Sequence, residues 1–208
     1  MHLLLNNIDK INWNNLGANV NSTAIKLLEQ NLDKISDWKN ISKNLHAIHI
    51  LEQNLDKVDW KSLSLNKNAV HILEKNIDKI DWTNLSVNQN AIHLLEQNLD
   101  NVNWFLLSAN PNAIHILEQN LDKVNWNSLS RNPNAIHILE KYPEKIYWNY
   151  LLLNPDATHL YIILDTSAMK KQCQPFAQEL CAFVLYPLRL IRFAQKAGLD
   201  LEDYLDLI

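Results

Sequence analysis

Tryptophan recurs along this chain at a nearly constant interval, and that interval constrains the fold more than any other feature of the sequence. Trp38 and the five tryptophans after it are separated by 22 residues each, whereas Trp13 precedes Trp38 by 25. A fixed period of this length indicates tandem copies of one small unit, which buries its apolar face only by stacking on its neighbours. The tryptophans are Trp13, Trp38, Trp60, Trp82, Trp104, Trp126 and Trp148.

The first half of the repeat is predicted to be a short α-helix. In one representative copy, Asn110 has a side chain that suits the N-cap, and Pro111 suits the first helical position. The apolar residues that follow recur at helical spacing, and Asn120 is expected to end the helix in the left-handed conformation. The apolar face consists of Ala113, Ile114, Ile116 and Leu117.

The second half of the repeat carries the tryptophan and is predicted to be a second short α-helix or a 3₁₀ turn, capped by Asp122. Leu121, Val124 and Leu129 should point inward together with part of Trp126. Neither half can bury its apolar side alone, so its stability must come from stacking on adjacent units. We therefore predict an all-α fold, an α-solenoid of 22-residue repeats closed by a helical C-terminal cap.

The repeat pattern divides the chain into two parts. We predict an α-solenoid over residues 1–165, with seven repeats after an N-terminal partial repeat, and a separate segment over residues 166–208. Apolar residues at helical spacing between Pro175 and Leu185 indicate that this segment is helical. Because the end of a solenoid needs a closing element, we expect a C-terminal cap; the alternative is a docking segment that recruits a second protein.

The composition disfavours several classes of partner and location. The formal net charge is -4, whereas a repeat array that follows a phosphate backbone should be basic, so nucleic acid is not expected to bind. No apolar run approaches the ~20 residues of a membrane helix, and the amino terminus lacks the features of a signal peptide. Cys173 and Cys181 would lie about 12 Å apart on one helix, too far to bridge, which suits a reducing intracellular compartment.

Enzyme motifs are missing from the sequence. It contains no Gly-x-Ser-x-Gly, no His-Glu-x-x-His and no phosphate-binding loop, and it has only two glycines. Histidines one repeat apart would be separated by roughly the 8–10 Å between packed helices, which is too far for two ligands of one zinc ion. We therefore expect no catalysis, no cofactor and no bound metal.

A row of polar residues on the first helix of each repeat is the candidate binding surface, here named the His/Glu stripe. Each histidine has a glutamate three residues later, on the same face of the helix. One interpretation is a solvated row of weak His–Glu pairs, and the other is the lining of a groove that binds a partner. The stripe consists of His49, Glu52, His71, Glu74, His93, Glu96, His115, Glu118, His137 and Glu140.

Three further rows of equivalent residues are interpreted as structural. Tryptophan rings are expected to pack between stacked helices, although an aromatic platform for bases or sugars is the alternative. Asparagines that precede the first helix are interpreted as caps. Asp-Lys pairs such as Asp56-Lys57 and Asp78-Lys79 are interpreted as exposed charges in the first turn of the second helix. The tryptophan row is Trp60, Trp82, Trp104, Trp126 and Trp148, and the asparagine row is Asn66, Asn88, Asn110, Asn132 and Asn154.

The repeat motif Asn-Pro-Asn-Ala-Ile-His-Ile-Leu-Glu-x-Asn-Leu-Asp-Lys-Val-x-Trp-x-x-Leu-Ser resembles the short tandem repeats of proteins from giant, nucleocytoplasmic large DNA viruses of the mimivirus group. The tail is similar to the C-terminal segment of such proteins, carried by Gln174-Pro175-Phe176, Tyr186-Pro187-Leu188-Arg189 and Leu199-Asp200-Leu201-Glu202-Asp203-Tyr204. The resemblance implies an intracellular viral repeat protein, from a family whose roles are mostly unassigned, and we expect it to act in the host cytoplasm and to bind a host protein. It implies no catalytic residues.

Three functions are compatible with these patterns. The first is a non-catalytic scaffold that binds an unidentified protein along the His/Glu stripe. The second is a self-assembling structural component that forms a homo-oligomer through its N-terminal end. The third is an adaptor, in which the solenoid holds a target and residues 166–208 recruit other machinery.

Overall fold

The computed structural model describes residues 8–157, which contain thirteen short α-helices and five 3₁₀ turns and no β-strand. The chain divides into two compact units, Met1–Lys123 and Val124–Ile208. The start of the N-terminal partial repeat, the predicted boundary at residue 165 and the predicted C-terminal cap lie outside the described residues. The self-assembly and adaptor hypotheses depend on those same parts of the chain.

In unit 1, every full repeat contains two short α-helices. The alanine helix directly follows the buried alanine of each repeat, except in the first copy, where Ala24 lies inside the helix. The tryptophan helix begins at or directly after the tryptophan. The alanine helices are Ser22–Glu29, Ile48–Gln53, Val70–Glu74, Ile92–Glu96 and Ile114–Gln119. The tryptophan helices are Trp13–Leu16, Lys39–Lys43, Trp60–Ser64, Trp82–Leu85 and Trp104–Ser108. The 3₁₀ turns are Ile8–Lys10, Leu32–Lys34 and Ile77–Lys79.

The described part of unit 2 repeats the same order of elements. It begins with the tryptophan helix Trp126–Ser130, followed by a 3₁₀ turn at Pro133–Ala135 and the alanine helix Ile136–Lys141. A second 3₁₀ turn, Pro143–Lys145, leads into the tryptophan helix Trp148–Leu151. The second half of the repeat was predicted to be either an α-helix or a 3₁₀ turn. It contains a turn, which is 3₁₀ in some copies, followed by a short α-helix.

The core of each unit consists of the apolar positions that the repeat pattern marks. In one copy, Ala69 directly before the alanine helix, Leu73 within it and Leu63 of the tryptophan helix are completely buried. In unit 1 the tryptophan helices from Trp13–Leu16 to Trp82–Leu85 each pack against the next, and in unit 2 Trp126–Ser130 packs against Trp148–Leu151. Helices of four to six residues are far shorter than the roughly 12–15 residues that an isolated helix needs, so this stacking is what stabilises them. The prediction of an all-α repeat solenoid is confirmed.

The predicted helix ends require three corrections. Asn110 does not cap the alanine helix, which begins later, at Ile114; its Oδ1 instead accepts a hydrogen bond of 3.1 Å from the backbone N–H of Asn112 and closes a turn. In unit 2 the equivalent residue, Asn132, does act as a cap, but of the 3₁₀ turn that begins at Pro133 and not of the α-helix. The tryptophan helix at Trp126 is capped by Asn125 rather than by Asp122.

Asn120 ends its alanine helix, but not in the left-handed conformation. Its φ is -134°, and its Nδ2 donates a hydrogen bond of 2.8 Å to the carbonyl of Ile116 in the last turn. The side-chain amide thus satisfies a terminal carbonyl, which removes the need for a left-handed residue at this end. The same bond is made by Asn54, Asn76 and Asn98.

Candidate functional site

The His/Glu stripe is exposed on the alanine helices, and in unit 1 its contacts join neighbouring repeats. His71 Nε2 lies 2.8 Å from Oε1 of Glu52, which belongs to the preceding repeat, and His93 Nε2 lies 2.5 Å from Oε1 of Glu74. The prediction that each histidine pairs with the glutamate three residues later on its own helix is therefore wrong for these residues. Stacking brings the end of one alanine helix beside the start of the next. Each histidine therefore contacts the glutamate of the preceding repeat instead of the glutamate on its own helix.

The same register holds at both ends of this row. His49 pairs with Glu29 of the first repeat, where Lys26 stands at the position of the histidine. His115 Nε2 lies 3.6 Å from Glu96 Oε1, within ion-pair distance. Glu29 was not among the predicted site residues. The sequence contained a signal for Glu29: the first repeat keeps the glutamate although lysine replaces its histidine, which indicates that this glutamate pairs outside its own repeat.

The paired side chains of the stripe remain accessible. The side chains of His71 and Glu52 are 46% and 49% exposed, and the other three pairs are similar. An ionised carboxylate only accepts hydrogen bonds, so the Nε2 of His71 donates to Glu52. Exposed pairs of this kind contribute little to folding stability. Their effect is to fix the orientation of side chains that present a row of carboxylates to solvent.

The other predicted members of the stripe are also on the surface of their helices. Glu118 is exposed near the end of the alanine helix Ile114–Gln119 in unit 1. His137 and Glu140 are exposed on the alanine helix Ile136–Lys141 in unit 2. The stripe therefore has a continuous paired part in unit 1 and two exposed members in unit 2.

The tryptophan row lies between repeats, with most of its rings half-buried and lysines covering them. Trp60 is half-buried, and Nζ of Lys79 from the next repeat lies 4.8 Å from its ring centroid. Trp104 has the same relation to Lys123 at 5.3 Å. In unit 2, Lys145 covers Trp126 at 4.7 Å, and Trp148 is only 7% exposed. Trp60, Trp104 and Trp126 therefore each carry an ammonium group of the next repeat on one face.

The lysines of the Asp-Lys pairs are thus not merely exposed charges. Lys57 Nζ lies 5.6 Å from the ring centroid of Trp38, and Lys79 makes the equivalent contact one repeat later. The attraction between an ammonium and the face of an indole gives a physical reason for the lysine that stands three residues before Trp60, Trp82, Trp126 and Trp148. The sequence contained this spacing, but the local pattern of an acidic and a basic neighbour suggested only a solvated pair.

The asparagine row does more than cap turns. Asn88 is 1% exposed, and its Nδ2 donates hydrogen bonds of 3.0 and 3.2 Å to the carbonyls of Ser64 and Asn66 in the preceding repeat. Its Oδ1 accepts from the N–H of Asn90. A buried amide with both donors and an acceptor satisfied fastens one repeat to the next. The interpretation of this row as caps alone is therefore wrong.

A buried serine row makes a second set of bonds between repeats. Ser64 Oγ donates to the carbonyl of Trp60 at 2.8 Å and accepts from the N–H of Asp81 at 3.1 Å. Ser86 makes the same two bonds, to Trp82 and from Asn103. No buried side-chain nitrogen or oxygen among the described residues lacks a partner. The buried serine hydroxyls therefore join one repeat to the next.

The described residues offer little sign of a metal site, a deep pocket or a membrane-spanning helix. Across residues 8–157, no three His, Cys, Asp or Glu side chains form a cluster that could hold a metal ion. A surface depression of about 320 Å³ in unit 2 is lined by Glu144, Ile146, Tyr147, Trp148 and Asn149. Among helices in the described range, none combines the length and the apolar character needed to cross a membrane.

Comparison with known proteins produced no relative: no family model, curated protein or solved structure matches this chain. The resemblance to giant-virus repeat proteins therefore stays a prediction.

Proposed function

We propose that this protein is a non-catalytic repeat scaffold that binds a protein partner along the His/Glu stripe. The observation that carries the proposal is the set of His–Glu contacts between repeats in unit 1, represented by His71 with Glu52 and His93 with Glu74. These contacts contribute little to stability, yet they hold exposed polar side chains in a regular register. Side chains that are already oriented lose less conformational entropy when a partner binds.

The chemistry of the stripe favours a partner with regularly spaced donors. Each carboxylate of a His–Glu pair retains further acceptor sites, and the formal net charge of the chain is -4. A protein surface with lysine or arginine side chains complements such a row, both in charge and in hydrogen bonding. The resemblance to viral repeat proteins adds the expectation that the partner belongs to an infected host cell.

The test compares two variants with the same change in charge. The stripe variant carries Glu52→Gln and Glu74→Gln, and the control variant carries Asp56→Asn and Asp78→Asn at exposed positions outside the stripe. Each of the three proteins is immobilised and used to capture partners from a lysate of cells that express the chain. The affinity of each captured protein for the purified chain and for both variants is then measured. We expect partners to be retained by the original chain and the control variant but lost by the stripe variant. Equal retention by all three proteins would contradict the proposal.

A further inference from the structure

Trp82 differs from the tryptophans on either side of it because no cation among the described residues covers its ring. For Trp148, the equivalent position in the next repeat lies outside the described residues. Five of the rings have a lysine of the following repeat with its Nζ 4.7 to 5.6 Å from the ring centroid. Within the described range of the chain, neither a lysine nor an arginine lies over Trp82, which is half-buried at the start of its helix. The covered rings and their lysines are Trp13 with Lys34, Trp38 with Lys57, Trp60 with Lys79, Trp104 with Lys123, and Trp126 with Lys145.

The sequence explains why the Trp82 ring is uncovered. The lysine that covers Trp60 is Lys79, three residues before the next tryptophan; the equivalent residue for Trp82 is Asn101. Asn101 is exposed, and its amide carries no charge to attract to the ring. This boundary therefore keeps the aromatic half of the repeated interaction and lacks the cationic half.

The local charge at this boundary is also different. Each covering lysine directly follows an acidic residue, and Asp100 retains that acid in front of Asn101. Asp100 is exposed. The pair Asp100-Asn101 therefore has a formal charge of -1, whereas the acid-Lys pair at each covered ring is neutral, and the face of an indole ring attracts cations. Both features favour an ammonium or guanidinium group supplied from outside the chain.

We propose that Trp82, together with Asp100, binds a lysine or arginine side chain of a partner protein. The five covered rings show the geometry, because each has an ammonium group over it at a distance where the attraction is effective. The partner side chain takes the position that a lysine at residue 101 would occupy. This site is separate from the His/Glu stripe and does not depend on binding there.

The direct test is a titration of the intact chain with a blocked lysine, Nα-acetyl-lysine methylamide, followed by the NMR signals of the indole Nε1–H groups. Tryptophan-to-phenylalanine variants assign the signals, and blocked norleucine is the uncharged control of similar shape. We expect the Trp82 signal to move with blocked lysine, while the signals of Trp60 and Trp104 move much less because Lys79 and Lys123 occupy their rings. Equal movement of all three signals, or an equal response to norleucine, would overturn the proposal.

A pair of reciprocal variants locates the site. Asn101→Lys supplies the missing cation and should abolish the response of Trp82, whereas Lys79→Asn removes a cation and should make Trp60 respond. Both substitutions are at exposed positions, and each reproduces a residue found at the same position of another repeat. A response of Trp82 that persists in Asn101→Lys would show that blocked lysine binds elsewhere. If either lysine or asparagine variant fails to fold, the comparison of the assigned Trp82 and Trp60 signals in the unaltered chain still tests the proposal.

Discussion

The side-chain amide of Asn66 donates a hydrogen bond of 3.1 Å to the backbone carbonyl of Asn44, the residue at the same position one repeat earlier. A second bond of 3.0 Å runs to the carbonyl of Ser42, and the Oδ1 of Asn66 accepts from Asn68 within its own repeat. Asn66 is 1% exposed, so these bonds are shielded from water. Apolar stacking holds neighbouring repeats together, and this buried amide fixes the register between the two repeats that it joins.

Replacement of a boundary tryptophan should cost far more stability than replacement of a stripe histidine. Trp104 is half-buried at a repeat boundary, so Trp104→Ala should lower the free energy of unfolding by about 2–4 kcal/mol, somewhat less than for a fully buried ring. His115 is exposed, and its ion pair with Glu96 is screened by solvent, so His115→Ala should cost less than about 1 kcal/mol. Urea unfolding of both variants measures the difference. Losses of equal size would mean that the roles of the two rows have been misassigned.

The ammonium groups over the indole rings should have a small but measurable effect on stability. Lys79→Met keeps the aliphatic stem over Trp60 and removes the charge, so unfolding free energy should fall by about 0.5–1 kcal/mol. Asn101→Lys should raise it by a similar amount. Lys61→Met is the control, because Lys61 is exposed and does not cover a tryptophan ring in the described part of the chain. An equal loss in the Lys61 variant would show that net charge alone produces the effect.

The cap at Asp59 predicts a specific pH dependence. Burial opposes ionisation of this carboxyl, but hydrogen bonds from Ser62, helped by Lys39 and Lys43, hold its pKa below the usual value. A lowered folded-state pKa stabilises the fold at pH values above the ordinary carboxyl pKa, and this contribution is lost as the pH falls through the folded-state value.

Asp59→Asn tests that dependence while retaining a cap, since asparagine and aspartate are similarly effective N-caps. At pH 7 we expect the two proteins to be close in stability. As the pH falls from about 6 to 3, across the range in which carboxyls ordinarily titrate, the original chain should lose more stability than the variant. Urea midpoints over this range provide the measurement. Parallel curves would contradict the assignment of a stabilising charge to Asp59.

Much of the fold could be predicted because the repeat exposes its own packing pattern. The interval between tryptophans gives the period, and alanine, isoleucine and leucine at helical spacing identify residues such as Ala69, Ile72 and Leu73 that the structure buries. Ends of helices were less predictable. A helix of five residues has few internal hydrogen bonds, so contacts with the next repeat decide where it begins.

Contacts between repeats were the part that sequence reasoning missed. His71 has Glu74 on its own helix and Glu52 one repeat earlier, and only the stacking geometry selects Glu52. Asn88 has the local pattern of a turn residue, and that pattern does not reveal that its amide donors reach the preceding repeat. Local spacing identified the residues involved, whereas their partners depend on how neighbouring units stack.

The most direct test of this account compares two asparagines that both bond to the preceding repeat. Asn88 is buried and bonds to two carbonyls, whereas Asn90 is exposed and bonds to the carbonyl of Lys67 at 3.0 Å. Replacement of either by leucine preserves the approximate size and removes the amide. Asn88→Leu removes the amide donors from the carbonyls of Ser64 and Asn66, of which the second still accepts from Ala69, and removes the acceptor of the Asn90 N–H. Because these groups are shielded from water, urea unfolding should show a loss of about 2–3 kcal/mol, against less than about 1 kcal/mol for Asn90→Leu. Equal losses, or a more stable Asn88→Leu, would contradict the claim that buried amides fasten the repeats together.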